Sequence, residues 1–427
     1  MRRTIVKSAR MGEEYLRLEH ESGLVILFYP MKGFRTAYAI FGTKYGSVDS
    51  EFKTPEDEDF VKVPDGVAHY LEHKLFESEE GSVDRLFAGA GAEANAFTSF
   101  DKTCYLFSCT DRFEESFRYL LRFVQDPYFT SETVEKERGI IEQEIRMYED
   151  NPDWRVMQNL LTALYAENPV RQDIAGTVES ISKITPELLY RCYRTFYNLS
   201  NMVVAVAGSF DPAAAERVLA EELKPGKPMK ILRRIPEEPR QAAKPSVTEK
   251  LDVAIPLFDF GYKLVPEEKP PALLKQQITL GVLSDVLAGP TSSFYEEMSR
   301  KGLLDATFDT EVFGERGALA LIFGGESRDP LAVCEAFSRM IEEKKREGLS
   351  EEEFLSCKNA FYGKTLRALN DVETAASALL SHEMMGVGLF DVLEVIADLS
   401  LSDLEAALQT SFDPECRAIS LILPKEA

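Results

Sequence analysis

The chain is poor in histidine, with four in 427 residues: His20, His69, His73 and His382. It also lacks an excess of positive charge, setting 49 Lys and Arg against 72 Asp and Glu for a formal net charge of −23. A nucleic-acid binder needs basic surface to neutralise phosphates, so this balance argues against that class. It argues equally against a peripheral protein held to anionic lipid by basic patches. No run approaches the roughly 18 apolar residues that span a bilayer. The basic N-terminal stretch 1–18 has no apolar segment behind it, so no secretory signal is expected. The six cysteines (Cys104, Cys109, Cys192, Cys334, Cys357 and Cys416) show no CxxC pair and no regular spacing. That pattern predicts buried thiols in a cytoplasmic protein. Gly and Pro stand at ordinary levels, which excludes collagen-like and low-complexity classes.

What is present describes a globular chain, 44% apolar and 28% charged, able to bury a core. The segment 224–245, KPGKPMKILRRIPEEPRQAAKP, holds five prolines and a local run of Lys and Arg. Prolines at that density cannot lie inside helices or central strands, so the segment reads as an extended linker. It predicts an N-terminal domain over 1–223 and a C-terminal domain over 246–427. Both halves mix β-rich runs with amphipathic helices. In the first, 24–30, 36–47 and 94–110 read as strands, 201–212 as a strand with a turn after it, and 67–77, 113–126 and 132–150 as helices. The second half echoes this order, with strands near 252–265 and 318–327 and helices over 274–289, 291–304 and 330–348. The echo predicts an internal duplication.

The residues that carry chemistry begin at His69-Tyr70-Leu71-Glu72-His73, an HxxEH sequence. On a helix, positions four apart share a face with Cβ atoms roughly 5–6 Å apart, so both imidazoles can reach one cation. Glu72 points near the same face. Catalytic zinc sites use three protein ligands, and HxxEH is a zinc-protease spacing. A third ligand must come from elsewhere, and a carboxylate is the usual type. The helix over 132–150 offers Glu137 and Glu144 two turns apart on one face, with Glu142 on another. A solvated charged helix is the plainer reading of the same residues.

The segments GVAHYLEHKLFE, ANAFTSFDKT and VEKERGIIEQEI together resemble the M16 peptidases, which include pitrilysin, insulin-degrading enzyme and mitochondrial processing peptidase. The resemblance covers the N-terminal half and looks closest to the bacterial cytosolic short-chain members. It implies an α+β fold of two similar domains, each a mostly antiparallel sheet packed with helices, in a clam-shell arrangement. It implies a Zn²⁺ site with His69, His73 and Glu144 as ligands and Glu72 as the base that takes a proton from water. Glu137, in the matching pair seven residues before Glu144, is implied as a carboxylate that supports the site. The strand through Asn95, Ala96, Phe97 and Thr98 matches the family segment that pairs with peptide substrate by backbone addition. The implied activity is hydrolysis of short unfolded peptides.

One part of the family pattern is missing. Active members carry an Arg and a Tyr seven apart around a Gly-Leu step in the second half. Aligned on Gly302-Leu303, this chain has Met298 and Asp305 at those places, with Tyr295 and Arg300 nearby in the wrong order. That departure suggests a homo- or heterodimer in which another M16-like subunit supplies the pair. A non-catalytic scaffold subunit that binds zinc is the alternative. The net charge adds a further expectation, a preference for basic peptides if part of the excess lines the substrate chamber.

Overall fold

The computed structural model describes residues 1–79 and 81–425. Two sheets organise it. The seven-stranded sheet runs, from one edge to the other, Arg2–Ser8, Glu13–Glu19, Val25–Pro30, Met202–Gly208, Ala37–Thr43, Thr103–Cys109 and Ala92–Thr98. The five-stranded sheet runs Ser246–Leu251, Arg417–Pro424, Leu257–Leu264, Ala318–Glu326 and Asp309–Glu315. Counting the last five strands of the first sheet and all five of the second along the chain, both have the spatial order 1-5-2-4-3. In both, strands 1 and 5 pair in parallel and every other neighbour is antiparallel. The predicted duplication is therefore a repeated topology, with the hairpin Arg2–Glu19 added to the first copy.

Sequence explains where the strands lie. Ala37–Thr43 and Met202–Gly208 are buried at every position. Strands covered on both faces read as continuous apolar runs. Ala92–Thr98, at the edge, alternates half-buried and exposed residues, the period of a strand with one open face.

The compact units do not coincide with the halves of the chain. The first comprises Met1–Gln143, Asp173–Arg234 and Leu366–Phe390; the second comprises Glu144–Gln172, Ile235–Thr365 and Asp391–Ala427. The expected domains 1–223 and 246–427 thus differ from the compact units by two exchanged segments. Helix Pro152–Leu164, capped by Asn151 with Pro152 in its first turn, packs on the second sheet. Helix Val372–Met385, capped by Asp371, packs on the first. Arg17 clamps that helix with two hydrogen bonds to Glu383, at 2.9 and 2.8 Å. The linker 224–245 is largely irregular, as its prolines require, and contributes the short strand Leu232–Arg233 beside Glu51–Lys53.

One predicted strand divides. The stretch 94–110 is a hairpin, with strands Ala92–Thr98 and Thr103–Cys109 and a turn closed by the Ser99 amide on the Lys102 carbonyl at 2.8 Å. Asp101 sits in the turn and does not continue the strand. Alternation of polarity persists through a tight turn, so periodicity alone reads the two strands as one.

Two outcomes follow from the packing. A Cβ at Gly42 would lie 2.8 Å from Met384 Cε and 3.0 Å from Leu380 Cδ1, so Gly42→Val should destabilise the first unit by about 1–3 kcal/mol. Urea unfolding checks it. In the second unit, burial pushes the Asp259 carboxyl up to about 7, and the charges of Glu311 and Asp153 push it further in the same direction. An unfolded aspartate titrates near 3.9, so the folded state holds the extra proton between these values. Stability should fall as pH rises from about 4 to about 7 and level off above. Asp259→Asn should flatten that slope and raise the melting temperature at pH 8; an unchanged pH profile would refute the assignment.

Candidate metal centre

Helix Val67–Leu75 starts after Gly66, whose φ of +91° lies in the left-handed region. A side chain there would collide with the Ala175 carbonyl oxygen, 2.4 Å from the Cβ position. The helix ends with His73 and Lys74 in its last turn, where positive or polarisable groups suit the exposed carbonyls. His69 is buried, at 8% exposure. Its ring lies 4.6 Å from that of His73, centroid to centroid, as positions four apart on a helix require.

The second contributor is helix Ser131–Glu149. Two contacts join it to the histidine helix. The Tyr70 hydroxyl donates to the Val134 carbonyl, and His73 Nδ1 lies 2.9 Å from Glu137 Oε1. With a carboxylate as acceptor, the hydrogen sits on Nδ1 and Nε2 keeps a lone pair for a cation. One helical spacing beyond Glu137 comes Glu144. The ligand atoms of His69, His73 and Glu144 all lie within 4.8 Å of one another. The compact-unit division passes between Gln143 and Glu144, inside this one continuous helix. Glu142 is not in the group.

Two imidazoles and a carboxylate are the donor set of catalytic zinc sites, and their convergence fits such an ion. Glu72 stands beside them, accepting a hydrogen bond from Thr98 Oγ1 on its Oε2 at 2.7 Å. Thr98, expected only as part of a peptide-pairing strand, thus also orients the expected base. An open cleft of about 520 Å³ adjoins the group, and Glu72, His73, Asn95, Ala96 and Glu137 line it. Phe97 is 38% exposed on the same edge strand. Lys74, which has no exposed surface, pairs with the lining residue Glu77, which also lies 3.5 Å from Lys136. Partial burial raises the Glu77 carboxyl, but the hydrogen bond and charge of Lys74, with Lys136, outweigh it and hold the group below its usual value. Arg85 and Lys136 in this lining escaped the sequence reading, because no spacing rule brings 72–77, 85, 95–96 and 136–137 together.

Comparison with known proteins shows the family. The family described as insulinase (peptidase family M16) matches residues 62–178, and the one described as the peptidase M16 inactive domain matches 183–361. The uncharacterized zinc protease YmfH of Bacillus subtilis is 40% identical over 415 residues, covering 96% of this chain and 97% of that protein. The chain belongs to the M16 peptidase family. An M16-like peptidase from Alicyclobacillus acidocaldarius has a crystal structure that superposes with a TM-score of 0.94 at 35% identity, over 98% of this chain and all of that one. A protease from Helicobacter pylori shares the fold at 19% identity, with a TM-score of 0.82 over 96% of this chain and 99% of that one. The α+β architecture of two repeated M16 domains agrees with both. No helix among the described residues is long and apolar enough to cross a membrane.

The contact to Glu137 carries a measurable consequence for this M16 site. Glu137→Gln should weaken zinc binding about 10–100-fold while leaving the fold intact, the usual effect of losing a carboxylate behind a ligating histidine. Competition with a chromogenic chelator reads the affinity, and unchanged affinity would show that His73 needs no such support.

Proposed function

We propose that the chain is a zinc-dependent endopeptidase subunit that hydrolyses short unfolded peptides. The observation that carries this is the grouping of His69, His73 and Glu144 within 4.8 Å, with Glu72 held beside it by Thr98. His69, His73 and Glu144 would hold the ion. When bound, zinc supplies Lewis acidity that polarises a carbonyl and lowers the pKa of water towards about 7.

The other tasks fall to the chain itself. Glu72 Oε2 is engaged by Thr98, which leaves Oε1 to accept a proton from the attacking water and return it to the leaving amine. Glu137 holds the His73 ring in one tautomer and one orientation. The edge strand Ala92–Thr98 has a strand partner on one side only in the sheet order, so its outer edge can pair with an extended peptide backbone at Asn95, Ala96, Phe97 and Thr98. Backbone pairing reads little side-chain identity, which supports broad selectivity for unfolded segments. Six cysteines outside any disulfide accord with a reducing, cytoplasmic setting.

A partner completes this proposal. Met298, at the place of the family arginine, is 2% exposed and belongs to the core of the second unit. Tyr295 spends its hydroxyl on the Asp305 carbonyl at 3.0 Å. Neither supplies the missing Arg/Tyr pair, so a second M16-like subunit, identical or not, would provide it. The same two residues favour the second reading, a zinc-binding scaffold subunit without hydrolysis of its own.

Glu72→Gln separates these. It should keep zinc, measured by elemental analysis, and lower kcat on a quenched fluorescent unfolded peptide by about 10²–10⁴-fold. The assay is run with and without a candidate partner. Hydrolysis undiminished in the variant would remove Glu72 as the base; no hydrolysis by the unmodified chain in either condition would favour the scaffold.

A further inference from the structure

The cleft beside the metal-ligating group carries two cations, Arg85 and Lys136, in its lining. Its lining includes Glu72, His73, Glu77, Arg85, Lys136 and Glu137. Two of the three carboxylates are engaged at the reacting centre: Glu72 by Thr98 at 2.7 Å and Glu137 by His73 at 2.9 Å. The third, Glu77, is paired with the buried Lys74 and lies 3.5 Å from Lys136. Arg85 is exposed on helix Asp84–Ala90, and among the described residues no carboxylate stands within ion-pair distance of it. Away from the metal group, two cations of the lining, Arg85 and Lys136, therefore stand with one described carboxylate, Glu77, whose charge the buried Lys74 already offsets.

We infer that this cleft holds a carboxylate of the bound peptide, with Arg85 as its principal donor and Lys136 as the second charge. The inference rests on the peptidase reading and names the class of substrate that reading leaves open. A guanidinium presents two parallel N–H groups that match a carboxylate, whereas an ammonium acts as a point charge. Asn95 and Ala96 of the edge strand line the same cleft, so a peptide paired with that strand passes along these cations. The carboxylate can belong to an Asp or Glu side chain or to the peptide's own C-terminus, since both present the same two oxygens. The preference for basic peptides suggested by net charge is reversed here, because charges within about 10 Å act on a bound group while more distant surface charges are screened by salt.

The test uses the full chain carrying Glu72→Gln, loaded with zinc, so that binding is read without turnover. One fluorescent unfolded peptide is made in four forms, with Glu or Gln at its centre and a free or amidated C-terminus. At low salt the form with the recognised carboxylate should bind about 3–10-fold more tightly than its neutral counterpart, as two partly exposed ion pairs allow. Loss of the gain on Glu-to-Gln exchange assigns it to a side chain, and loss on amidation assigns it to the C-terminus. Adding Arg85→Ala should abolish the gain, and Arg85→Glu should invert it. Equal binding of all four forms overturns the inference and leaves the peptidase reading standing. A preference that survives Arg85→Glu combined with Lys136→Glu overturns it as well. Failure of every form to bind overturns the inference and the peptidase reading together.

Discussion

Bringing two imidazoles and a carboxylate within 4.8 Å, beside two more glutamates, is the constraint on which the functional half of this protein depends. Anionic and polar groups crowded in a half-buried place repel or lose solvation unless a cation or a network of donors compensates them. The fold meets this with two helices rather than a loop. Tyr70 on Val134 and His73 on Glu137 lock the helices side by side, and their periodicity sets the rest. His69, Glu72 and His73 share one face; Glu137 and Glu144, two turns apart, share another. Rigid elements of this kind hold ligands more tightly in position than mobile segments do.

The surrounding architecture repeats one five-stranded topology, yet only one copy carries this chemistry. In the first copy, the segment between strands two and three contains the histidine helix. The corresponding segment of the second holds helices Pro270–Ala288 and Ser293–Arg300, with no HxxEH. What the second copy retains is the packing solution. Each sheet is covered by a helix that follows the long charged helix of the other half of the chain, Pro152–Leu164 in one case and Val372–Met385 in the other. A sheet face as apolar as Ala37–Thr43 and Met202–Gly208 must be covered, and chain order places no limit on which segment does so.

Much of this was legible in the residues. HxxEH is local, its geometry is that of any helix, and Glu137 and Glu144 lie on one face whatever helix 131–149 packs against. The linker followed from proline chemistry, and the duplication from the order of apolar periods. Other features were hidden for equally physical reasons. The hairpin turn at 99–102 interrupts a run whose alternation continues through it, so two strands looked like one. The role of Thr98 depends on its distance to Glu72, which spacing along a strand does not encode.

By itself, then, the sequence determined the pairing of His69 and His73 on one helix face, the kinds of elements around them and the two-part plan, because each depends on contacts within a few residues or on a rigid helical period. Only the tertiary structure decided that Glu144 rather than Glu142 joins the histidines. It alone showed that helices 152–164 and 372–385 cover opposite copies of the sheet. It alone placed Arg85 and Lys136 in one cleft beside Asn95. Those outcomes are set by packing between residues far apart in the chain, and no local period or composition carries that information. His69 and His73 mark where the candidate site is; the fold decides which charges surround it.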